Sequence, residues 1–247
     1  MLVGLVLGFL GLPRIELPRE MLPQTQAAPA LISVAITPQT AEPTIPPVRL
    51  STPTSVPTPV PPLFAHNLAT AVPGWPNDRR GTAWFDGGEY HLFAREPGQF
   101  VATGVSLARP VNNAKLIAVF HKVAGPAGGG YGLIVRDQGA AAERDGHNQS
   151  GEYLVLEIGD RGEVGIWQRD ESHWIDIVPW THSDAVHPDF ATNSMTITTE
   201  GSRLDFSVNG VVVADLSYDR LPTAGAVGVF AGGDFNEVAL ESLRIER

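Results

Sequence analysis

The sequence has no cysteine among its 247 residues. Disulfides, thiolate nucleophiles and thiolate metal sites are thereby excluded. Basic residues are scarce, 17 Lys and Arg against 27 Asp and Glu, for a formal charge of −10. That balance argues against nucleic acid or an anionic membrane surface as partner, since both need a basic face. No long hydrophobic run is present either. The one apolar stretch, "MLVGLVLGFLGL", ends at Pro13, whereas a spanning helix needs about 20 apolar residues. It also lacks the basic start of a signal peptide. Three readings stand for residues 1–13: the stub of a truncated membrane helix, an atypical signal or anchor, or an apolar tail. Helical periodicity is missing as well, with no stretch of ten or more residues repeating at 3.6. Nor is there a G-x-S-x-G elbow, a G-x-x-x-x-G-K-[ST] phosphate loop or an HExxH zinc motif.

Proline is abundant but unevenly spread. Most of the 21 prolines fall before Leu63, and residues 37–62 read "TPQTAEPTIPPVRLSTPTSVPTPVPP". A Thr/Pro chain of this kind has too little apolar surface to fold and stays extended. At about 3.1 Å per residue it reaches roughly 80 Å. We therefore divide the chain into a short apolar anchor (1–13), a disordered Pro/Thr-rich linker or stalk (14–62) and a domain (63–247). This arrangement is expected of an extracytoplasmic, envelope-attached or secreted protein that meets the membrane only through its N-terminal segment. The acidic residues before Leu63 are matched by arginines, so the domain carries the whole −10.

The roughly 185 residues of the domain suffice for one well-buried core. Strand-like runs recur along it, from Thr82–Phe85 to Glu237–Ile245, with "DGGEY", "PAGGG", "GDRGE", "TEGSR" and "GGDFN" between them. Asn209-Gly210, between Arg203–Val208 and Val211–Leu216, carries the pattern of a two-residue type I′ hairpin. Leu204, Phe206 and Val208 alternate with polar residues, as in a strand buried on one side. "YLVLEI" and much of "KLIAVF" are apolar on both faces and are expected to be central strands, covered twice or lining a concave surface. About a dozen short strands without helices predict an all-β, two-sheet antiparallel jelly-roll sandwich.

The order "GYGLIVR … GEYLVLEIGDRGEVGIWQR … NSMTITTEGSRLDFSVNGVVVADL … AGAVGVFAGG … VALESLRI" resembles the concanavalin A-like lectin/glucanase superfamily. Its laminin-G-like modules share the L-x-F-x-V-N-G hairpin. Its 3-keto-disaccharide hydrolase branch, long a domain of unknown function, shares a strand ending in Arg followed by a Gly-Glu-Tyr strand. The resemblance implies a scaffold role for the hairpin and a groove on the opposite sheet. It makes Arg136 and Glu152 counterparts of that branch's Arg and Glu, and departs from it at Leu154 (Gln there) and Glu157 (Asp there). Calcium, common in laminin-G-like modules, would fall to Asp234 and Asn236 or to Asp145; no other cofactor is expected.

Candidate chemistry follows from these residues. A glycosidase needs two carboxyl groups about 5–9.5 Å apart. Glu152 and Glu157 are the available pair, but the laminarinase pattern E-x-D-x-x-E is broken at Leu154, and strand residues five apart face opposite ways. Trp167 shares a face with Glu163 and Arg169, away from Val164 and Ile166, and offers a platform for a sugar ring. Trp174 and Trp180 flank "IDIVP". Trp75 and Trp84 are expected in the core, and His182, Asp184, His187 and Asp189 in a solvated loop. The leading expectation is a carbohydrate- or envelope-glycan-binding module without catalysis, using Trp167 and Trp174 as platform and Arg136 with Glu152 for hydrogen bonds. The alternatives are a glycoside hydrolase of the 3-keto-disaccharide hydrolase type, using Glu152 or Glu157 with Arg136, and a structural adhesion domain.

Overall fold

The computed structural model describes residues 60–139, 151–171 and 173–247. The apolar segment and nearly all of the Thr/Pro-rich stretch lie outside the described residues, as does Asp145. Every described element is a strand, and all ladders are antiparallel. Among the described residues no helix is long and apolar enough to cross a membrane.

Two sheets form a sandwich. The first contains β1 (Phe64–His66), β2 (Ala83–Asp86), β3 (Glu89–Phe93), β5 (Ala114–Ala124), β10 (Asn193–Glu200), β11 (Arg203–Val208), β12 (Val211–Ser217) and β14 (Glu237–Glu246). Its order is β12-β11-β10-β5-β14-β3-β2, with β1 paired to β14. The second contains β4 (Phe100–Gly104), β6 (Gly130–Asp137), β7 (Glu152–Gly159), β8 (Glu163–Asp170), β9 (His173–His182) and β13 (Ala226–Gly232), in the order β4-β13-β6-β7-β8-β9.

Alternation decides what each strand buries. Leu133, Val135, Leu154, Leu156, Ile158, Val164 and Ile166 point from the second sheet into the core, where they meet Leu116, Phe120, Met195, Ile197, Leu204, Phe206 and Leu240 from the first. Each such side chain contributes roughly 1.5–3 kcal/mol through burial. The β11–β12 hairpin turns at Asn209 (φ 50°) and Gly210 (φ 84°), the left-handed conformations a type I′ turn requires. The Asn209 side chain also accepts from the Ser194 amide and donates to the Ala185 carbonyl, tying the turn to its neighbours.

Three expectations need adjustment. Phe64–His66 forms a short strand that its length hid. β9, expected over His173–Val178, runs on to His182, because Pro179 sits on an edge strand where its missing N–H costs nothing. β5 is central, yet Ile117 and Val119 on its outer face are only half-buried, so that face is not covered.

One buried pair fixes the end of the sandwich near the groove. Lys122 of β5 donates to Asp160 across the sheets and to the Pro126 carbonyl, and Asp160 accepts the amides of Gly128 (2.8 Å) and Gly129. A charge pair this buried holds only because its remaining valences are met. It pins the 125–130 loop that borders the cleft described next.

Candidate functional site

The outer face of the second sheet carries its own apolar cluster: Phe100, Ala102, Ile134, Tyr153, Val155 and Phe230, with Trp167 packed against it. Such a cluster on an outward face must be covered by something, and Trp174 of β9 does so. Its ring meets Phe100, Tyr153 and Phe230 edge-on at 5.6–6.1 Å. The buried Arg169 guanidinium stacks behind it, 4.9 Å from the ring centroid. β9 and β4 are opposite edges of the sheet. Strands stand about 4.8 Å apart, so this contact requires the sheet to curl, and the curl makes the face concave.

The hollow is a cleft of about 360 Å³, at the small end of the roughly 300–1,000 Å³ typical of ligand pockets. Phe100, Trp167, Trp174, Trp180, Phe230, Glu157 and Asp176 supply its chemistry. Trp174 and Trp180 are each 40% exposed, and Trp180 meets Trp167 edge-on at 5.3 Å.

Glycines make room for these rings. A Cβ at Gly130 would stand 2.6 Å from Glu157 Oε2 and 2.9 Å from Trp180 Cη2; one at Gly165 would stand 2.6 Å from Trp167 Cζ2. Glycine inside a strand weakens it, and here it marks where neighbouring side chains lie across the backbone.

Glu157 is 6% exposed. Burial pushes its carboxyl up from 4.5 to about 8, because the charged form loses its hydration. The Trp167 indole N–H opposes that shift, though it closes no hydrogen bond of full geometry.

Of the residues singled out in the sequence, Glu157, Trp167 and Trp174 come together in the cleft. Glu152 does not: it shares the parity of Leu154 and Leu156, which face the core, and ends exposed at the start of β7. Leu154, the departure from the hydrolase pattern, is therefore a core residue rather than a groove residue. Arg136 also lies outside the cleft. Simple alternation from Gly130, Gly132 and Ile134 would place it on the concave face. The ladder to β13 slips between Ala226 and Gly228, however, and Arg136 takes φ 54°. A bulge of this kind re-aims a side chain. The guanidinium is 2% exposed. It donates to the Tyr218 carbonyl (2.5 Å) and the Gly201 carbonyl (2.8 Å), joining the two sheets at one end.

Sequence reasoning passed over Asp176, Phe100 and Phe230, and noted Trp180 without choosing it. A usable signal was present: Gly130, Gly159 and Gly165 fall on one face of three adjacent strands, which marks where large side chains overlie the sheet.

Two of the three calcium candidates lie among the described residues, and Asn236 Oδ1 is buried with no hydrogen-bond partner there. Asp234 accepts the Gly98 amide, and the Asn236 amide donates to the Gly130 and Gly232 carbonyls. His182 pairs with exposed Asp184, while His187 contacts the Thr192 carbonyl. Among the described residues, Glu89, His121 and Glu241 form the one group close enough to share a cation. It sits on the outer face of the first sheet, where His121 Nδ1 and the Thr192 hydroxyl both bond Glu241. Trp75 and Trp84 are both buried as expected, Trp75 in the inter-sheet cluster and Trp84 stacked on His91. A second hollow, of about 470 Å³, is lined by Leu63, 107–113 and Arg247. Arg109, Arg247, Asn112 and Asn113 give it polar groups, but it has no aromatic ring on which a sugar could stack.

No protein-family model matches the chain, and no curated relative matches it in sequence. Its structure is similar to that of a protein of unknown function with a galectin-like fold from Bacillus subtilis, at TM-score 0.54 and 15% identity, covering 75% of this chain and 95% of that one. It is also similar to the carbohydrate recognition domain of Emp46p in its metal-free form, at TM-score 0.52 and 12% identity, covering 74% and 95%. Likeness at these identities concerns the fold alone: an antiparallel two-sheet sandwich, consistent with the concanavalin A-like resemblance. It does not single out the 3-keto-disaccharide hydrolase branch.

Proposed function

We propose that this domain binds carbohydrate in the concave cleft and does so without catalysis, as a module held outside the cytoplasm on its Thr/Pro stalk. The observation that carries the reading is the pair of half-exposed rings, Trp174 and Trp180, around a glycine-floored hollow that also contains polar groups. Such a hollow suits a sugar, whose C–H faces stack on aromatic rings while its hydroxyls need hydrogen-bond partners. The naming of one structural neighbour as a carbohydrate recognition domain lends the ligand class further support. An adhesion domain would present a flat or convex apolar face with its groove filled, and the open cleft favours binding over that alternative.

One observation favours a second reading. Glu157, with its carboxyl raised to about 8, lines the same cleft as Asp176. A protonated carboxyl that shares a cleft with a second carboxylate is the equipment of a glycoside hydrolase. A hydrolase of this chain, including one acting on 3-keto glycosides, would use those two rather than Glu152 or Arg136.

Calorimetry of the full chain against a polysaccharide panel and 3-keto glycosides, with chromatography of the same samples, separates the readings. Binding that is lost in Trp180→Ala, with no product, is the expected result. Sugar release that stops in Glu157→Gln would replace the binding reading with the hydrolase. Silence in both channels would overturn both.

A further inference from the structure

The cleft lining contains five aromatic residues and two carboxylates, Glu157 and Asp176, but no lysine or arginine. A third carboxylate stands close by. The Cβ position of Gly159 lies 3.2 Å from Glu163 Oε2 and 3.3 Å from Trp180 Cζ3, just as that of Gly130 lies between Glu157 and the same ring. Trp180 is thus flanked by acidic groups from β7 and β8, with Asp176 on its own strand. Two cations border the cleft without lining it. Arg161 donates to the Ala127 carbonyl from beside Gly128, and Arg169 is buried behind Trp174. The chain as a whole carries a formal −10.

Aromatic faces attract a positive charge, and carboxylates pair with it more strongly where water is excluded. A neutral sugar uses only the stacking half of this equipment. We propose that the cleft selects an amino sugar, its free ammonium held between Glu157 and Asp176 and its ring against Trp180, over neutral or N-acetylated sugars. This rests on the carbohydrate reading given above.

The proton balance gives a distinctive readout. Burial keeps the Glu157 carboxyl protonated at neutral pH. A neighbouring ammonium favours the ionised form. Binding therefore breaks the carboxyl O–H bond, leaves a carboxylate against the ammonium and passes the proton to buffer.

The test titrates the full chain with a glucosamine oligosaccharide, its N-acetylated counterpart and a glucose oligosaccharide of equal length, by calorimetry in two buffers of different ionisation enthalpy. The glucosamine ligand is expected to bind about tenfold tighter or more, with proton release. Glu157→Gln removes the proton release, and Asp176→Asn, at an exposed position, reduces the preference severalfold. Equal affinity for all three ligands overturns the amino-sugar proposal and leaves the carbohydrate reading intact. A preference that survives both variants overturns the assignment to these carboxylates. No binding by any of the three overturns the amino-sugar proposal, and the carbohydrate reading falls with it only if the polysaccharide panel is silent as well.

Discussion

Trp174 of β9 and Phe100 of β4 meet edge-on with ring centroids 5.6 Å apart, although their strands are the two edges of one six-stranded sheet. Both rings line the cleft. Removing the contact is expected to loosen the curl without opening the main core, which lies on the other face. Trp174→Ala should cost about 2 kcal/mol, less than the roughly 3–5 kcal/mol of a fully buried aromatic, and should weaken ligand binding. Urea melts and calorimetry on one preparation check both. Undiminished affinity would remove Trp174 from the site.

The glycine floor separates binding from folding. Gly130→Ala places a methyl group 2.6 Å from Glu157 Oε2 and 2.9 Å from Trp180 Cη2, both side-chain atoms that can move. Ligand affinity should fall at least tenfold with a small change in thermal midpoint. Gly132→Ala meets the Leu156 carbonyl oxygen at 2.1 Å. Backbone cannot yield as a side chain does, so that variant should unfold at a clearly lower temperature.

Glu157 makes stability depend on pH in a direction opposite to that of a salt-bridged acid. Its folded pKa, about 8, exceeds the ordinary 4.5. Between those values the unfolded chain holds fewer protons at this site than the folded one, so stability falls as pH rises and levels off above about 8. Glu157→Gln lacks this loss. The difference in urea midpoint between Glu157→Gln and the parent should grow from about pH 5 to about pH 9. A constant difference would mean that Glu157 ionises normally.

Arg136 serves the fold. Arg136→Ala leaves the Tyr218 and Gly201 carbonyls without their charged donor and empties a fully buried position. A loss of roughly 3 kcal/mol is expected. Ligand affinity, measured where the variant is still folded, should be unchanged. A selective loss of binding would return Arg136 to the ligand site.

Much of the fold is legible in the chain because it is written in local terms. Period-two alternation, Asn209-Gly210 and the glycine-rich turns are properties of neighbouring residues, and they mark nearly every strand from β2 onward. Trp167 was legible for the same reason: Val164 and Ile166 fix which way β8 faces. Glu157 was legible as a carboxylate on the face opposite Glu152. Phe64–His66 escaped because three residues carry no period.

What the sequence by itself determined is the alternation of faces, and with it the antiparallel sandwich. The tertiary structure decided which outward face became a site. Strand order brings β4 and β9 to opposite edges, and curling the sheet joins Phe100, Phe230, Trp174 and Trp180 across long sequence distances. A single bulge reverses the reading for Arg136, since one extra residue in a ladder resets the alternation on which the sequence argument depends. Burial of Glu157 is likewise a tertiary effect. Its raised pKa comes from the neighbours that exclude water around it, and those neighbours come from β6, β8 and β9 rather than from its own strand.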